Sequence, residues 1–411
     1  MNPHHDMLAL ADRCVKCGLC LPRCPTYRLD QNENASPRGR IALIQALARQ
    51  EIAPDDPRLR QHLDQCLLCR RCEQMCPSGV EYGRLMDLAR QQLPPPAPLR
   101  RLGLRLLSRH MQGLFRLLYL FQQSGLERVL RPLLRSSRLY ALKPRLSRPR
   151  SFRPHYSAPD SAPAPERGRV AIFTGCTGRN LDAAALAGTI ELLSALGYRV
   201  ELPARQTCCG GLQQHSGLAD EARQLARQNL QAFADEEYEA VLWLASGCGA
   251  QLAEYPQQAG LAPDELAHAR RLQAKLRDVS GFLLTALRQH PLPFAPLEKR
   301  VAVHRPCSQH GLSGQPDSVA PLLALIPGIR LVELPDDTPC CGAAGDYLLR
   351  HPDTARALRQ PLLERLLAEN VDIVVSSNPG CSLFLQAGLK EQGIRVMHPA
   401  ELLNRMQDKT D

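Results

Sequence analysis

The spacing of apolar residues divides the chain into two kinds of sequence. Residues 41–50 and 59–65 lack β-branched alternation and are rich in Ala, Leu, Arg and Gln, which predicts helices. After Arg169, short β-branched or apolar runs at 170–173, 200–202, 241–244, 301–303, 331–334 and 373–375 alternate with Ala/Leu-rich helical stretches. Strands alternating with helices predict parallel α/β units. Pro94, Pro95, Pro96 and Pro98 close the first region, because successive prolines remove backbone donors and hold the chain extended.

The cysteines sharpen this division. The 16 in 411 residues fall in groups of eight, four and four, with none between Cys76 and Cys176. Cys176 maps onto Cys307, Cys208 and Cys209 onto Cys340 and Cys341, and Cys248 onto Cys381, at offsets of 131, 132 and 133 residues. So constant a period predicts a tandem duplication, with cysteines at strand ends and in the turns that follow, where ligand sites of open parallel sheets gather. The first copy carries extra sequence around residues 254–270. The expected fold is therefore α+β and multidomain. An N-terminal α-helical, ferredoxin-like domain spans 1–95 and a basic helical and linker segment spans 96–168. Two tandem α/β cysteine-rich domains then occupy 169–298 and 299–411.

Composition narrows the function classes. Cysteine stays well below the roughly 8–10% of a disulfide-stapled secreted scaffold. The first ten residues show no basic-then-apolar leader, so the reducing cytoplasm is expected, where clustered thiols hold metal or do redox work. Arginines interrupt the longest apolar candidate, between 99 and 134, before it reaches membrane-spanning length. The net charge of +10 is local: residues 98–153 hold 14 basic residues and one acid, Glu127, leaving −3 for the rest. Leu114, Leu117, Leu118 and Phe121 recur there at helical spacing, before a Ser/Pro/Arg-rich linker reaching Arg167. This segment suits docking on a partner subunit or on the inner face of the cytoplasmic membrane, or an ordinary solvated helical face. With few aromatics for base stacking, nucleic acid is not expected as a partner.

Cys14-x2-Cys17-x2-Cys20-x3-Cys24-Pro25 and Cys66-x2-Cys69-x2-Cys72-x3-Cys76-Pro77 are two complete ferredoxin-type runs. In such runs three thiolates hold one cluster and the fourth reaches the other. One [4Fe-4S] cluster is thus predicted on Cys14, Cys17, Cys20 and Cys76, and a second on Cys66, Cys69, Cys72 and Cys24. Zinc, which takes four ligands per site, would leave the regular third and fourth cysteines of each run without a reason. Lys16, Arg23, Arg70 and Arg71 are candidates for raising cluster potentials, or are solvated surface cations.

Each later copy offers Cys176 or Cys307, a vicinal pair before glycine (Cys208-Cys209-Gly210, Cys340-Cys341-Gly342), and Cys248 or Cys381 after glycine. Glycine lets backbone approach a bulky inorganic centre. These eight cysteines are candidates for additional clusters, with thiol redox chemistry, another metal and plain packing as alternatives. His304 and His310 flank Cys307 as candidate ligands, proton carriers or structural residues. No G-x-G-x-x-G follows a strand and no P-loop occurs, so no dinucleotide site and no catalytic residue is assigned.

Two ferredoxin runs, the segment Ser36-Pro37-Arg38-Gly39-Arg40-Ile41 between them, and two Cys-Cys-Gly units resemble the iron-sulfur subunits of bacterial glycolate oxidase, or glycolate dehydrogenase. The resemblance covers nearly the whole chain and is weakest over 94–167. It implies an electron-transfer subunit working with two FAD-type flavoprotein subunits. Glycolate would be oxidised at FAD on a partner, and electrons would pass through this chain toward the quinone pool. Heterodisulfide reductases share the modules, as do iron-sulfur subunits of lactate and glycerol-3-phosphate dehydrogenase complexes, and these are the alternative readings. The full heterodisulfide reductase pattern ends in C-x2-C, whereas Ala245 and Asn378 stand at the first position of that pair here.

Overall fold

Proline opens most of the N-terminal helices, at the position where its missing donor would have no partner anyway. It begins α1 (Pro3–Ala11), α2 (Pro25–Asp30), α3 (Pro37–Ala48) and α4 (Pro57–Asp64). Ser36 caps α3 by accepting from Gly39 N, and Asp56 caps α4 by accepting from Arg58 N and Leu59 N. Then come α5 (Arg71–Gln74), α6 (Tyr82–Gln92), α7 (Pro98–Arg109) and α8 (Met111–Gln123). Met7, Leu10, Ile44, Leu47, Leu63, Leu85 and Met86 form the core of the helical region. These spans come from a computed structural model that describes residues 3–408 except 127–147, 158–166, 236, 259, 311–316 and 336. The expected linker up to Arg167 falls largely outside the described residues.

Past residue 150 the chain builds two sheets. The first has the order β1-β3-β2-β4-β5, from β1 (His155–Tyr156), β2 (Gly168–Phe173), β3 (Tyr198–Glu201), β4 (Ala240–Trp243) and β5 (Leu276–Asp278). All its pairs are parallel except β1 with β3. The second, β7-β6-β8-β9, is wholly parallel and uses β6 (Arg300–His304), β7 (Arg330–Glu333), β8 (Ile373–Ser376) and β9 (Arg395–Met397). All six expected strands are present, so the duplication of sequence is also a duplication of structure. The extra segment of the first copy supplies the helix Pro263–Lys275 ahead of β5.

Side chains alternate across each strand, and the alternation sorts the core. Val170 and Ile172 join Val301, Val303, Ile373 and Val375 in one buried cluster that both copies share. Ala171 and Phe173 face the other way, into a cluster with Trp243, Cys208 and Cys209. By its contacts the chain divides into two units. One comprises Met1–Leu104, Gly211–Ala222 and Pro335–Glu364; the other comprises Arg105–Gly210, Arg223–Leu334 and Arg365–Asp411 and contains both sheets. No helix among the described residues is long and apolar enough to cross a membrane.

Candidate metal centres

None of the 16 cysteines is in a disulfide, and the eight N-terminal ones wall two recesses. The first, about 430 Å³ including the solvent at its mouth, is lined by Cys14, Cys17, Cys20, Cys72 and Cys76, with Ile41, Val80 and Tyr82 behind them. Lys16 and Gly18 take positive φ values of 56° and 85°, which folds the loop so tightly that Cys14, Cys17 and Cys20 converge. The second recess, about 300 Å³, is lined by Cys24, Cys66, Cys69 and Cys72 together with Arg40 and Tyr82. Leu68 and Arg70 repeat the same left-handed device, at 50° and 57°. Pro37, Cys72 and Tyr82 line both recesses.

The exchange of fourth cysteines has a backbone cause. Pro25 starts α2 directly after Cys24, which carries Cys24 away from its own loop and into the wall of the second recess. After Cys76 the chain turns instead, with Gly79 at φ 61°, and Cys76 lines the first recess. Burial raises the Cys20 thiol pKa. Burial, reinforced by Cys69, Cys66 and Cys24, raises Cys72 much further. Several thiolates in a dry wall are costly unless a cationic core sits among them. Soft sulfur donors, apolar backing and the absence of any imidazole from both linings fit iron-sulfur centres.

The segment at 36–41 is the hinge of this arrangement. Ser36 caps α3, and Arg38 pairs with Glu33 at 2.6 Å while donating to the Lys16 carbonyl at 3.2 Å, which braces the first cysteine loop. Gly39 packs on the Glu33 carbonyl, Arg40 is buried beside the second recess, and Ile41 enters the core. Nearby, Arg90 donates to the carbonyls of Leu63 at 2.7 Å and Cys66 at 2.9 Å, fixing the start of the second loop.

In the first cysteine-rich copy, Cys176 follows β2 and Cys248 follows β4, the two neighbours between which the strand order reverses. Ligand sites of open parallel sheets lie at such a switch point. Cys176 meets Cys208, Cys208 meets Cys209, and Cys209 meets Cys248, each pair in hydrogen-bond contact. The bonds donated by Cys176 and Cys209 push Cys208 well down, while Cys176 and Cys209 go well up. The vicinal pair is held from behind. Asn229 donates to the Cys208 carbonyl at 2.9 Å, and Tyr255 donates to that of Cys209 at 3.0 Å. Four converging thiols are a second sulfur donor set of the same chemical type.

The second copy repeats the strand-end positions, with Cys307 after β6 and Cys381 after β8. Cys307 and Cys381 belong to the sheet-containing unit, whereas Cys340 and Cys341 belong to the other. Asn378 is a helix cap: its Oδ1 accepts from Gly380 N at 3.0 Å and Cys381 N at 3.3 Å. His304 is buried and its Nδ1 lies 3.0 Å from Ser376 Oγ. The side chain of His310 lies outside the described residues. Sequence reasoning missed Arg40, Tyr82, Thr26, Asn229 and Tyr255. Arg40 stands inside the segment 36–41 already singled out, and that place was the one signal available for it; its burial was not legible.

Comparison with known proteins agrees with this chemistry. Residues 10–80 match the 4Fe-4S dicluster domain, and residues 170–253 and 301–386 each match the cysteine-rich domain. A probable glycolate oxidase iron-sulfur subunit of Bacillus subtilis (strain 168) is 33% identical over 95% of this chain and 92% of its own. The glycolate oxidase iron-sulfur subunit of Escherichia coli (strain K12) is 35% identical over 96% and 94%. Lactate utilization protein A of Geobacillus kaustophilus (strain HTA426) is 32% identical over 57% of this chain and 98% of its own.

Proposed function

Because the chain belongs to the family of glycolate oxidase iron-sulfur subunits, we propose that it relays electrons from glycolate, oxidised at FAD on a partner, toward the quinone pool. One [4Fe-4S] centre is held by Cys14, Cys17, Cys20 and Cys76, the other by Cys66, Cys69, Cys72 and Cys24. The observation that carries this reading is the pair of thiol-walled recesses sharing Cys72, Pro37 and Tyr82, since adjoining centres suit a relay. When bound, such centres supply one-electron transfer over a tunable range of potential.

The chain's own residues bind, insulate and space the centres. Ile41, Val80 and Tyr82 exclude water behind the first recess, and Arg38 and Arg90 brace the loops on which the thiols ride. Cys176, Cys208, Cys209 and Cys248 hold a further centre, and Cys307, Cys340, Cys341 and Cys381 are the corresponding candidates at the matching sequence positions of the second copy. Substrate oxidation belongs to two FAD-type partner subunits. Exposed Leu117, Leu118 and Leu120 on α8, beside Arg116, support docking on such a partner or peripherally on the membrane.

Anaerobic purification followed by iron analysis and EPR tests the reading. The ferredoxin runs alone require about eight irons per chain. Cys76→Ser is expected to disturb the signal that Cys17→Ser disturbs and leave the other intact. A zinc-loaded, EPR-silent chain rejects the proposal. If Cys208→Ser instead abolished disulfide reduction by the isolated chain, the four touching thiols would be a reductase site.

A further inference from the structure

Charge around the second recess does not balance within the protein. Arg40 is 1% exposed, and its guanidinium has only neutral hydrogen-bond acceptors. Nε donates to the His62 carbonyl at 2.8 Å, and both terminal nitrogens donate to Thr26 Oγ1 at 3.3 Å. No carboxylate among the described residues pairs with it. Burying a cation without an anion is expensive, so an anionic partner belongs beside it. The groups available are sulfur ligands: Arg40 lines the recess with Cys24, Cys66, Cys69 and Cys72.

Two hydroxyls connect this charge to sulfur. Thr26 Oγ1 lies 3.3 Å from Cys24 Sγ, and Tyr82 OH lies 3.6 Å from Cys66 Sγ. The other cations beside the recesses are compensated or wet. Arg70 pairs with Glu73 at 2.7 Å, Arg38 pairs with Glu33 at 2.6 Å, and Lys16 is exposed. The asymmetry between the two recesses is therefore one buried, uncompensated positive charge.

We propose that Arg40, acting through Thr26 and alongside Tyr82, is a positioning residue that raises the reduction potential of the iron-sulfur centre in the second recess. This rests on the ligand assignment above. Reduction adds one electron, and so one negative charge, to a centre whose burial opposes it; no bond or proton is exchanged. A fixed cation in the same dry wall favours the reduced state, as do hydrogen bonds to the ligand sulfurs. Salt screens a buried pair poorly, so the effect persists at high ionic strength.

EPR-monitored redox titration of the anaerobically purified full chain tests this, with Cys69→Ser identifying the signal of the second recess. Arg40→Gln is expected to shift that signal's midpoint downward and leave the other in place, while Arg40→Lys, which keeps the charge, moves it much less. Native iron content with neither midpoint moved, or both moved equally, overturns the proposal. If Arg40→Gln loses iron, Thr26→Val reads the same connection: a smaller downward shift of that signal is expected, and an unmoved signal overturns the proposal. A chain without iron, or with signals indifferent to Cys69→Ser, would instead reject the ligand assignment on which the inference stands.

Discussion

At Gly39 a β-carbon would stand 2.0 Å from the Glu33 carbonyl oxygen, closer than any real contact. Gly39→Ala must push α3 off that carbonyl, and overpacking of this kind costs about 1–3 kcal/mol; thermal unfolding of the iron-loaded chain would show the loss. His398 is the second sensitive residue. It is buried, its Nδ1 accepts from Ala400 N at 3.1 Å, and its Nε2 therefore donates to the Leu244 carbonyl at 3.0 Å. Burial holds its pKa down at about 4, below the ordinary 6.5. A depressed folded-state pKa contributes stability that is complete above about 6.5 and lost as pH falls toward 4, up to roughly 3 kcal/mol. Asp182 and Asp278, pushed up to about 7 by burial, act in the opposite sense, losing stabilisation as pH rises from 3.8 to 7. They remain in His398→Gln, so the difference in melting temperature between the two proteins should shrink between pH 6.5 and 4. The N-terminal cysteines were legible as candidate ligands from their spacing, because three of each run sit only three positions apart. Arg40 was not, since nothing local distinguishes a buried arginine from a solvated one.

Among the elements, long apolar runs were legible and short strands were not. β2, β4, β6 and β8 are buried nearly throughout and announce themselves as β-branched or apolar stretches. β5 is Leu-Arg-Asp and β9 is Arg-Val-Met, three residues each, with too little pattern to separate them from the adjoining helices. They are strands because β4 and β8 offer them a parallel edge, Val241 opposite Leu276 and Ile373 opposite Arg395. Helix Pro399–Met406 packs on helix Ala183–Ala195, where Gly188 leaves room for Asn404 and the Ala400 carbonyl. Leu403 of that helix is fully buried in the core shared by both copies. Leu403→Ala should cost about 2–5 kcal/mol through lost burial and the cavity left behind, measurable as a lower denaturant midpoint at unchanged slope.

For the whole molecule, the two-unit division predicts how stability depends on iron. In the unit containing α1 to α6, the thiol walls have no other filler, so emptying them leaves cavities and facing sulfurs at the centre of a small helical core. The shared core of the sheets lies on aliphatic side chains without a cysteine among them. Removing iron anaerobically should therefore lower the calorimetric transition of the first unit most, and that of the sheets less, because Cys208 and Cys209 lie in a smaller core separate from the shared one; a single transition moving as a whole would contradict this. The composition of the first unit was not legible along the chain. Residues 211–222 and 335–364 join it through Arg90 to the His215 carbonyl at 2.9 Å, Arg100 to Asp346 at 2.8 Å and Arg350 to Asp64 at 3.6 Å. These pairs lie up to 286 positions apart, and nothing in local pattern encodes them.

By itself the sequence determined the chemistry and the repeat. Thiol spacing and strand periodicity are short-range properties, set by how far a few residues reach and which way their side chains alternate. Only the tertiary structure decided that Cys176, Cys208, Cys209 and Cys248 meet, that Asn378 caps a helix, and that one guanidinium lies buried beside Cys24 and Cys66. Burial and charge balance depend on every segment that packs around a group, and those segments come from distant parts of the chain.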